Sequence, residues 1–378
     1  MKKVIIIGPG HPLRGGLATF NQRLAKEFLE MGYDCSIYSF SLQYPSFLFP
    51  GKTQYTNEPA PEGIKIFSVI NSINPFNWLK IGRRLKKEKP DIIVVRFWLP
   101  FMGPALGTVL RKVKKNRHTK IICIADNVIP HEKRFGDKSF TKYFLKSCDA
   151  FITMSEKVMS DLKEFRNDKP VKLVQHPLYD NFGEIISKSE AREHLGLPQT
   201  EKIVLFFGFI RKYKGLDLLL EAMTDEKLRN SGIRLMIAGE FYEDEKNYQE
   251  QLDKPGIRDN LILKTYFIPD SEVKYYLCAA DVVIQPYRNA TQSGVTPLAY
   301  HFEKPMIVTN VGGLPSLVPH EKAGLVVEPD PKSIANGILK FYELGENYFI
   351  PHLREEKKKY SWATMANAIT QLANDLPK

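Results

Sequence analysis

Short apolar runs alternate with amphipathic helical patterns along the first half of the chain. The first run, residues 4–8, is rich in β-branched residues and predicts a buried strand. The helix predicted after it ends at Gly32, and its apolar residues recur at helical spacing: Leu17, Phe20, Leu24 and Phe28. Further strands are predicted at 64–70, 91–97, 120–126, 150–154 and 171–175. Strands separated by helices in this way predict a parallel sheet with helices on both faces.

The pattern restarts after the polar stretch 179–200. Strands are predicted at 203–207, 234–238, 261–268, 281–285, 306–309 and 324–327, with helices between them. The predicted fold class is therefore α/β, with two doubly wound Rossmann-like domains, 1–178 and 179–360, that face a cleft. We expect the last helix, 361–378, to pack back near the cleft or onto the second domain. Ligands of such folds bind beyond the carboxyl ends of the strands.

Basic side chains are concentrated in the first half of the 378-residue chain. Residues 1–180 hold 30 Lys and Arg side chains against 16 Asp and Glu, whereas the remainder holds 24 against 27. An imbalance over a whole domain favours an anionic partner, such as a membrane surface, a phosphate-bearing acceptor or nucleic acid, although a solvated basic face is the simpler alternative. Nucleic acid is the least favoured, because no helix-turn-helix, zinc or RNP pattern is present. The aromatic loop 44–50 suggests reversible attachment to an anionic membrane, unless it folds onto its own domain.

Composition and cysteine usage indicate a cytoplasmic globular protein. Hydrophobic residues make up 43% of the chain and charged residues 26%, which argues against disorder of the whole chain. The first apolar run is too short for a secretory signal, and the uncharged run 97–110 is shorter than a membrane span. The four cysteines have no paired spacing, so we expect reduced thiols and neither disulfides nor a zinc site.

A dense group of cations follows the first predicted strand of the second half. That strand ends at Gly208, Arg211 and Lys214 follow, and a helix begins near Gly215. Arginine can fork two phosphate oxygens and lysine supplies a point charge, while a helix start adds backbone donors. The segment therefore predicts a site for a departing diphosphate. An ordinary strand–turn–helix with exposed basic residues is the alternative.

This segment resembles the donor-phosphate motif of retaining GT-B glycosyltransferases of family 4. In that motif a strand ends in glycine, and Lys-Gly follows six and seven residues later, as Gly208, Lys214 and Gly215 do here. Arginine often stands directly after the glycine in the family, whereas Phe209 stands there in this chain. Arg211 is the candidate replacement.

The resemblance covers nearly the whole chain, including the terminal helix that starts at Ser361-Trp362. It implies transfer of a sugar from a nucleotide-diphosphate donor to a hydroxyl of a glycan or lipid-linked acceptor, with retention, in polysaccharide biosynthesis. The donor is a co-substrate, and no cofactor is expected. We see no carboxylate pair placed for a double displacement. A front-face attack, with Arg211 and Lys214 stabilising the departing phosphate, is the mechanism we expect.

A polar loop after the strand predicted at 281–285 is a second candidate for donor binding. Amides at a helix start can hold a diphosphate or a sugar hydroxyl, although a plain helix cap is an equal alternative. In the family this loop binds the donor and usually carries two glutamates eight residues apart, and this chain has neither in register. It resembles a subgroup with a Gln-Ser-Gly loop. The donor-binding candidates here are Thr291, Gln292, Ser293, Gly294 and Val295.

Two further strand ends in the first half carry candidate residues. Gly15 and Gly16 allow the backbone to come close to a ligand oxygen, and the family resemblance places them near the donor; a tight turn explains them equally well. Asp126 and Asn127 follow the strand predicted at 120–126 and are candidates for contact with a sugar or the acceptor. His131 is a catalytic candidate, although a lone histidine is more often structural.

The last candidates are Gly239 and Glu240, which follow the strand predicted at 234–238 and resemble a family position that faces the nucleotide. A carboxylate suits ribose hydroxyls, and an exposed acidic turn is the alternative. No Asp-x-Asp pair follows a strand, so side-chain cations rather than a metal are expected to neutralise the diphosphate. A nucleotide-sugar epimerase of the same fold and a non-catalytic nucleotide-sugar-binding protein remain alternative functions.

Overall fold

The computed structural model describes residues 1–45, 53–129, 136–290 and 293–377. The chain forms two compact units. The first unit consists of Met1–Pro177 and Ser361–Lys378, and the second of Leu178–Tyr360. Both are built from parallel strands that alternate with helices.

The strands of the described chain are β1 (Lys3–Ile7), β2 (Asp34–Leu42), β3 (Lys65–Asn71), β4 (Ile92–Phe97), β5 (Lys120–Ala125), β6 (Ala150–Thr153), β7 (Val171–Leu173), β8 (Lys202–Phe207), β9 (Ile233–Ala238), β10 (Leu261–Lys264), β11 (Val282–Gln285), β12 (Met306–Thr309) and β13 (Gly324–Val327). The helices are α1 (Gly16–Glu30), α2 (Pro75–Glu88), α3 (Gly103–Lys114), α4 (Asp137–Leu145), α5 (Glu156–Lys163), α6 (Lys188–Leu195), α7 (Leu216–Ala222), α8 (Glu226–Arg229), α9 (Lys246–Leu252), α10 (Val273–Ala279), α11 (Val295–His301), α12 (Leu314–Leu317), α13 (Pro331–Leu344), α14 (Glu346–Lys357) and α15 (Trp362–Asp375).

Within the described ranges, the sheet of the first unit has seven strands in the order β3-β2-β1-β4-β5-β6-β7. One face packs on helices that include α2 and α3, with Ile7, Val95 and Leu106 in a continuous apolar core. The other face packs against α1 and α15. Because both faces are covered, β1 and β4 are continuous apolar runs apart from Lys3, at the start of β1, and Arg96.

The terminal helix α15 belongs to the first unit. It starts at Ser361, whose Oγ accepts a hydrogen bond from the backbone N–H of Thr364 at 3.1 Å. Trp362 then packs edge-on against Phe20 of α1, with ring centroids 4.8 Å apart. The alternative that this helix lies on the second domain is therefore wrong.

The described strands of the second unit form a six-stranded sheet in the order β10-β9-β8-β11-β12-β13. Its central strands are buried, as Leu205, Ile237 and Val283 illustrate. The fold class predicted from the sequence, two doubly wound parallel sheets, is confirmed. Among the described residues, no helix combines the length and apolar character needed to cross a bilayer.

Each sheet reverses its strand order once, between β1 and β4 in the first unit and between β8 and β11 in the second. At such a switch point the connections leave on opposite faces, which opens a crevice beyond the carboxyl ends of the two strands. Ligands of doubly wound folds bind there. Residues that bind a ligand are therefore expected at these two switch points.

Two strand predictions differ from the structure. β2 was not predicted, because Asp34, Ser36 and Ser39 break up its apolar pattern, yet it pairs with both β1 and β3. The strand predicted at 261–268 ends at Lys264. The apolar residues beyond it belong to the loop that leads to Pro269, which has no N–H to donate to a strand neighbour.

Candidate functional site

A tight turn connects β8 to α7 at the switch point of the second unit. Arg211 is extended, Lys212–Lys214 form one turn of 3-10 helix, and Gly215 has φ +68°. A Cβ atom on Gly215 would lie 1.9 Å from the carbonyl oxygen of Pro286, the residue after β11. Because any side chain would clash with Pro286, this position has to be glycine. The turn therefore packs directly against the end of β11.

Lys214 is the buried cation of this turn, with 8% of its surface exposed. Its Nζ lies 3.2 Å from where a Cβ of Gly208 would be, so the glycine at the end of β8 leaves room for the amine. The Nζ is also 5.8 Å from the centroid of the Tyr287 ring, which follows β11. The ammonium group thus lies between the ends of β8 and β11.

No carboxylate of the described residues forms an ion pair with Lys214. Burial, followed by the nearby Arg211 guanidinium, lowers the pKa of Lys214 to about 7. A buried amine without an anionic partner is unfavourable in its charged form. Binding of an anion would supply the missing charge.

Arg211 is exposed, and its guanidinium carbon lies 5.1 Å from the centroid of the Tyr242 ring. Tyr242 in turn stacks on Phe209, with ring centroids 4.1 Å apart and an interplanar angle of 28°. Phe209 is the residue at the position where the family often has arginine. In this chain Phe209 stacks on the ring of Tyr242, over which the guanidinium of Arg211 lies. Arg211, two residues after Phe209, is the candidate for the second cation of the turn.

The loop after β11 supplies Ser293, Gly294 and Val295. The Ser293 hydroxyl accepts a hydrogen bond from the backbone N–H of Val295 at 3.1 Å and lies 3.3 Å from the hydroxyl of Tyr287. A Val295 methyl group is 3.7 Å from the Cβ position of Gly208, so this loop borders the Lys214 amine. Thr291 and Gln292 lie outside the described residues.

Gly239 and Glu240 follow β9. The backbone N–H of Gly208 donates to Ala238 at 2.9 Å, and that of Ile210 donates to Glu240 at 2.9 Å, so the ends of β8 and β9 remain joined beyond the sheet. Glu240 is only 2% exposed. The alternative of an exposed acidic turn is therefore wrong for Glu240.

In the first unit, Gly15 caps α1 with φ +99° and Gly16 is the first helical residue. Asp126 follows β5 and is 5% exposed, and its carboxylate accepts two hydrogen bonds from the guanidinium of Arg96. Asn127 comes next and is half-buried. His131 lies outside the described residues, so its predicted catalytic role stays a prediction.

Sequence reasoning missed Arg96. It stands in the run IIVVRF of β4 and is 2% exposed. A single cation in an otherwise apolar central strand must find a partner, because a buried charge is costly when unpaired. That signal was available, but the partner Asp126 is 30 residues away and is identified only by the pairing of β4 with β5.

Groups of three or more His, Cys, Asp or Glu side chains that could hold a metal ion are not found among the described residues. In the described turn between β8 and α7, Lys214 and Arg211 are the cations placed nearest the switch point. Lys212 lies in the same turn and is exposed.

Two family models match the chain one after the other. The model described as "Glycosyltransferase Family 4" matches residues 14–178, and the one described as "Glycosyl transferases group 1" matches residues 187–370. An uncharacterized glycosyltransferase of Methanocaldococcus jannaschii is 25% identical over 96% of this chain and 96% of its own length. A putative teichuronic acid biosynthesis glycosyltransferase, TuaC of Bacillus subtilis, is 25% identical over 90% of this chain and 89% of its own.

Solved structures show the same fold. Sucrose-phosphate synthase from Thermosynechococcus elongatus has a TM-score of 0.75 at 17% identity, covering 99% of this chain and 98% of that one. Anabaena HepE in complex with UDP has a TM-score of 0.74 at 16% identity, covering 100% of both chains.

Proposed function

We propose that this chain, which belongs to the GT-B glycosyltransferases of the family 4 type, transfers a sugar from a nucleoside-diphosphate donor to a hydroxyl group of a glycan or lipid-linked acceptor. The observation that carries the proposal is the buried Lys214 amine, which has no carboxylate partner among the described residues and lies at the switch point of the second unit. A diphosphate gains negative charge as the glycosidic bond breaks. An amine held in a low-dielectric site stabilises that charge more strongly than one in water.

Arg211 would assist from the exposed side of the turn, where its guanidinium can bind two phosphate oxygens. With these two cations the diphosphate needs no metal for charge neutralisation, and we propose a metal-independent reaction. Its test is the transfer rate of enzyme treated with EDTA, which we expect to equal the untreated rate. A rate restored only by Mg²⁺ or Mn²⁺ would contradict this part of the proposal.

We propose retention at the anomeric carbon, with the departing phosphate taking the proton of the attacking hydroxyl. This mechanism needs no catalytic carboxylate pair, and the cations of the β8–α7 turn act on the leaving group only. Proton NMR of the first product formed gives the configuration directly. A product with the configuration opposite to that of the donor would contradict retention.

The donor is best identified with a panel of nucleotide sugars, read as a shift of the thermal unfolding midpoint. UDP-sugars are the first choice, because HepE was crystallised with UDP. The acceptor panel starts with glycans of bacterial envelopes, as the name of TuaC suggests a polysaccharide. Formation of an epimerised nucleotide sugar without an acceptor would instead support the epimerase alternative.

We also propose that the first unit attaches reversibly to anionic membranes from the cytoplasmic side. Phe76 at the start of α2 is 83% exposed and Ile73 just before it is 51% exposed. The same helix carries exposed basic side chains: Lys80, Arg83, Arg84, Lys86 and Lys87. Part of the aromatic loop 44–50 lies outside the described residues, so the structure supports this proposal through α2 alone.

Liposome co-sedimentation tests the membrane proposal. We expect binding to vesicles rich in phosphatidylserine, loss of binding at high salt, and weaker binding of Phe76→Ser. Tyr348→Ser, which removes a side chain of the second unit that is 43% exposed, is the matched control and should bind normally. Binding that ignores both lipid charge and salt would contradict the proposal.

A further inference from the structure

Three consecutive residues after β11 each contact the β8–α7 turn. The carbonyl oxygen of Pro286 lies against the glycine that ends the turn. The backbone N–H of Arg288 donates to the carbonyl oxygen of Tyr213 at 2.7 Å. Between these two contacts, the Tyr287 ring meets the Tyr213 ring edge-on, with centroids 6.0 Å apart and an interplanar angle of 82°. Tyr287 is therefore held against the turn by its own ring and by both of its neighbours.

The position of the Tyr287 ring depends more on packing and backbone than on its hydroxyl. The residue is 3% exposed. Its carbonyl oxygen accepts a hydrogen bond from the hydroxyl of Thr309, the last residue of β12, at 2.6 Å. Its own hydroxyl lies 3.3 Å from that of Ser293, which is long for two hydroxyls, since they usually approach to about 2.7–2.8 Å. We therefore expect the ring to stay in place without its hydroxyl.

The Lys214 amine lies over the face of this ring. Its Nζ is 5.8 Å from the ring centroid, within the distance of about 6 Å over which an aromatic face attracts a cation. The face of an aromatic ring carries partial negative charge, but the ring has no net charge. The ring of Tyr287 thus attracts the ammonium group without neutralising it, whereas a carboxylate at this place would form an ion pair.

The described charged and titratable groups around the amine supply it with no ion-pair partner. The guanidinium of Arg211, on the same turn, disfavours the charged amine. Burial raises the pKa of the Tyr213 and Tyr287 hydroxyls, so neither is an anion near pH 7. The carboxylate of Asp217, on α7, is paired with Arg288. The face of the Tyr287 ring therefore opposes the effects of burial and of Arg211 on the amine.

We propose that Tyr287 is a positioning residue for the sugar transfer: the face of its ring holds the Lys214 ammonium group at the end of β8 and leaves its charge unpaired for a donor phosphate. The inference rests on the proposed function and adds the residue that keeps the buried cation charged. Tyr287 acts through Lys214, and the property that matters is the partial negative charge of the ring face. The hydroxyl group is dispensable.

A series of ring substitutions tests this role with little change of shape. Tyr287→Phe removes the hydroxyl and keeps the ring face. Phenylalanines with one, two and three fluorine atoms, introduced at position 287 by amber suppression, then weaken the negative charge of the face step by step. Ionisation of Lys214 is followed by NMR of isotope-labelled lysine in the empty protein, and Lys214→Arg identifies its signal. This measurement needs no nucleotide.

We expect the titration midpoint of Lys214 in Tyr287→Phe to stay close to that of the wild type. Each fluorine should then lower the midpoint, because the charged amine loses the attraction of the ring face and releases its proton at lower pH. The trifluorinated ring should lower it by about 0.5 or more. The affinity for UDP at pH 8, measured by calorimetry, should fall in parallel by about threefold, because less of the amine is charged.

The matched control is the same fluorinated series at Tyr300, a tyrosine of α11 that is 1% exposed. Its hydroxyl donates to the carbonyl oxygen of Leu317 at 2.7 Å. This control series should leave the Lys214 midpoint unchanged, even where it lowers the midpoint of thermal unfolding. It separates an effect of the ring face on the amine from a general loss of stability.

Two results would overturn the proposal. The first is a Lys214 midpoint that does not fall with fluorination at position 287 in folded protein, or that falls equally in the Tyr300 series. The second is a tenfold loss of UDP affinity in Tyr287→Phe, which would give the role to the hydroxyl and its contact with Ser293. A midpoint that follows fluorination in a protein that binds no UDP would uphold the contact between ring and amine and count against the proposed function instead.

Discussion

The two switch points differ in how each balances its buried cation. Arg96 of the first unit makes a two-bond ion pair with Asp126, whereas Lys214 of the second unit has no carboxylate partner among the described residues. A paired charge gains little from a further anion, while an unpaired one gains much. The same architecture thus holds a charge-balanced cation in one unit and, in the other, a buried amine whose charge a bound anion would balance.

The difference follows from local structure. In the first unit, β5 ends next to β4, so the residue after β5 reaches the guanidinium of Arg96. In the second unit, the place beside Lys214 is taken by Gly208, by Val295 and by the ring of Tyr287. Burial raises the pKa of the Tyr287 hydroxyl, so this ring does not supply an anion near neutral pH.

The largest expected effect is that of Lys214→Met. Because the variant removes the buried amine that we propose contacts the diphosphate, we expect turnover at saturating donor to fall about 10²–10³-fold, equivalent to about 2.7–4 kcal/mol. Steady-state kinetics measures the turnover of the variant, and calorimetry measures its affinity for UDP. The control is Lys212→Met in the same turn, whose side chain is exposed. Near-normal turnover of Lys214→Met would remove this lysine from the mechanism.

The second prediction concerns the packing of the β8–α7 turn against the end of β11. Gly215 and Gly196 have almost the same backbone conformation, with φ +68° and +67°, but a Cβ on Gly196 meets nothing within 4 Å. Gly196→Ala should cost about 1–3 kcal/mol of backbone strain alone. Gly215→Ala should lower the midpoint of thermal unfolding about 4 °C or more below that of Gly196→Ala, because its Cβ overlaps Pro286. It should also weaken UDP binding about tenfold.

Thermal unfolding and UDP titration of the two variants measure this difference. Equal midpoints and equal UDP affinities for Gly215→Ala and Gly196→Ala would show that the contact with the end of β11 does not hold the turn.

Much of this second site could be predicted from the sequence. Glycines and cations at close spacing after an apolar strand indicate a phosphate-binding turn, so Gly208, Lys214 and Gly215 could be chosen as candidates from local signals alone. In the first unit Asp126 was a candidate, but its partner Arg96 was missed, because the two residues lie 30 positions apart on separate elements. Only the strand order brings them together.

The third prediction is a dependence of UDP affinity on pH. Lys214 has a pKa of about 7 in the empty protein, so it loses its proton as the pH rises above 7, and the anion then has less positive charge to bind. From pH 7.5 to 9 the terminal phosphate stays ionised, and we expect the affinity to fall by up to about tenfold per pH unit. Calorimetric dissociation constants at four pH values measure the slope.

Lys214→Arg is the matched control for the pH series. Arginine keeps its charge throughout this range, so the slope of this variant should be close to zero. A flat profile in the wild type would mean that the amine at position 214 is fully charged, or that it does not contact the phosphates.

The smallest expected effect is that of Arg211→Met. Because this guanidinium is exposed, solvent screens its charge, and we expect UDP binding to weaken only about three- to tenfold. UDP titration at low and high salt checks this. The difference in UDP affinity between the wild type and the variant should shrink as the salt concentration increases. A loss as large as that of Lys214→Met would reverse the ranking of the two cations.

A crystal structure of the protein with bound UDP tests the central claim most directly. The claim is that the unpaired amine makes the switch point of the second unit the diphosphate site. We predict a phosphate oxygen within about 3 Å of Nζ of Lys214, above Gly208. A diphosphate bound at the Arg96–Asp126 pair, or anywhere that leaves Nζ of Lys214 without a phosphate contact, would contradict it.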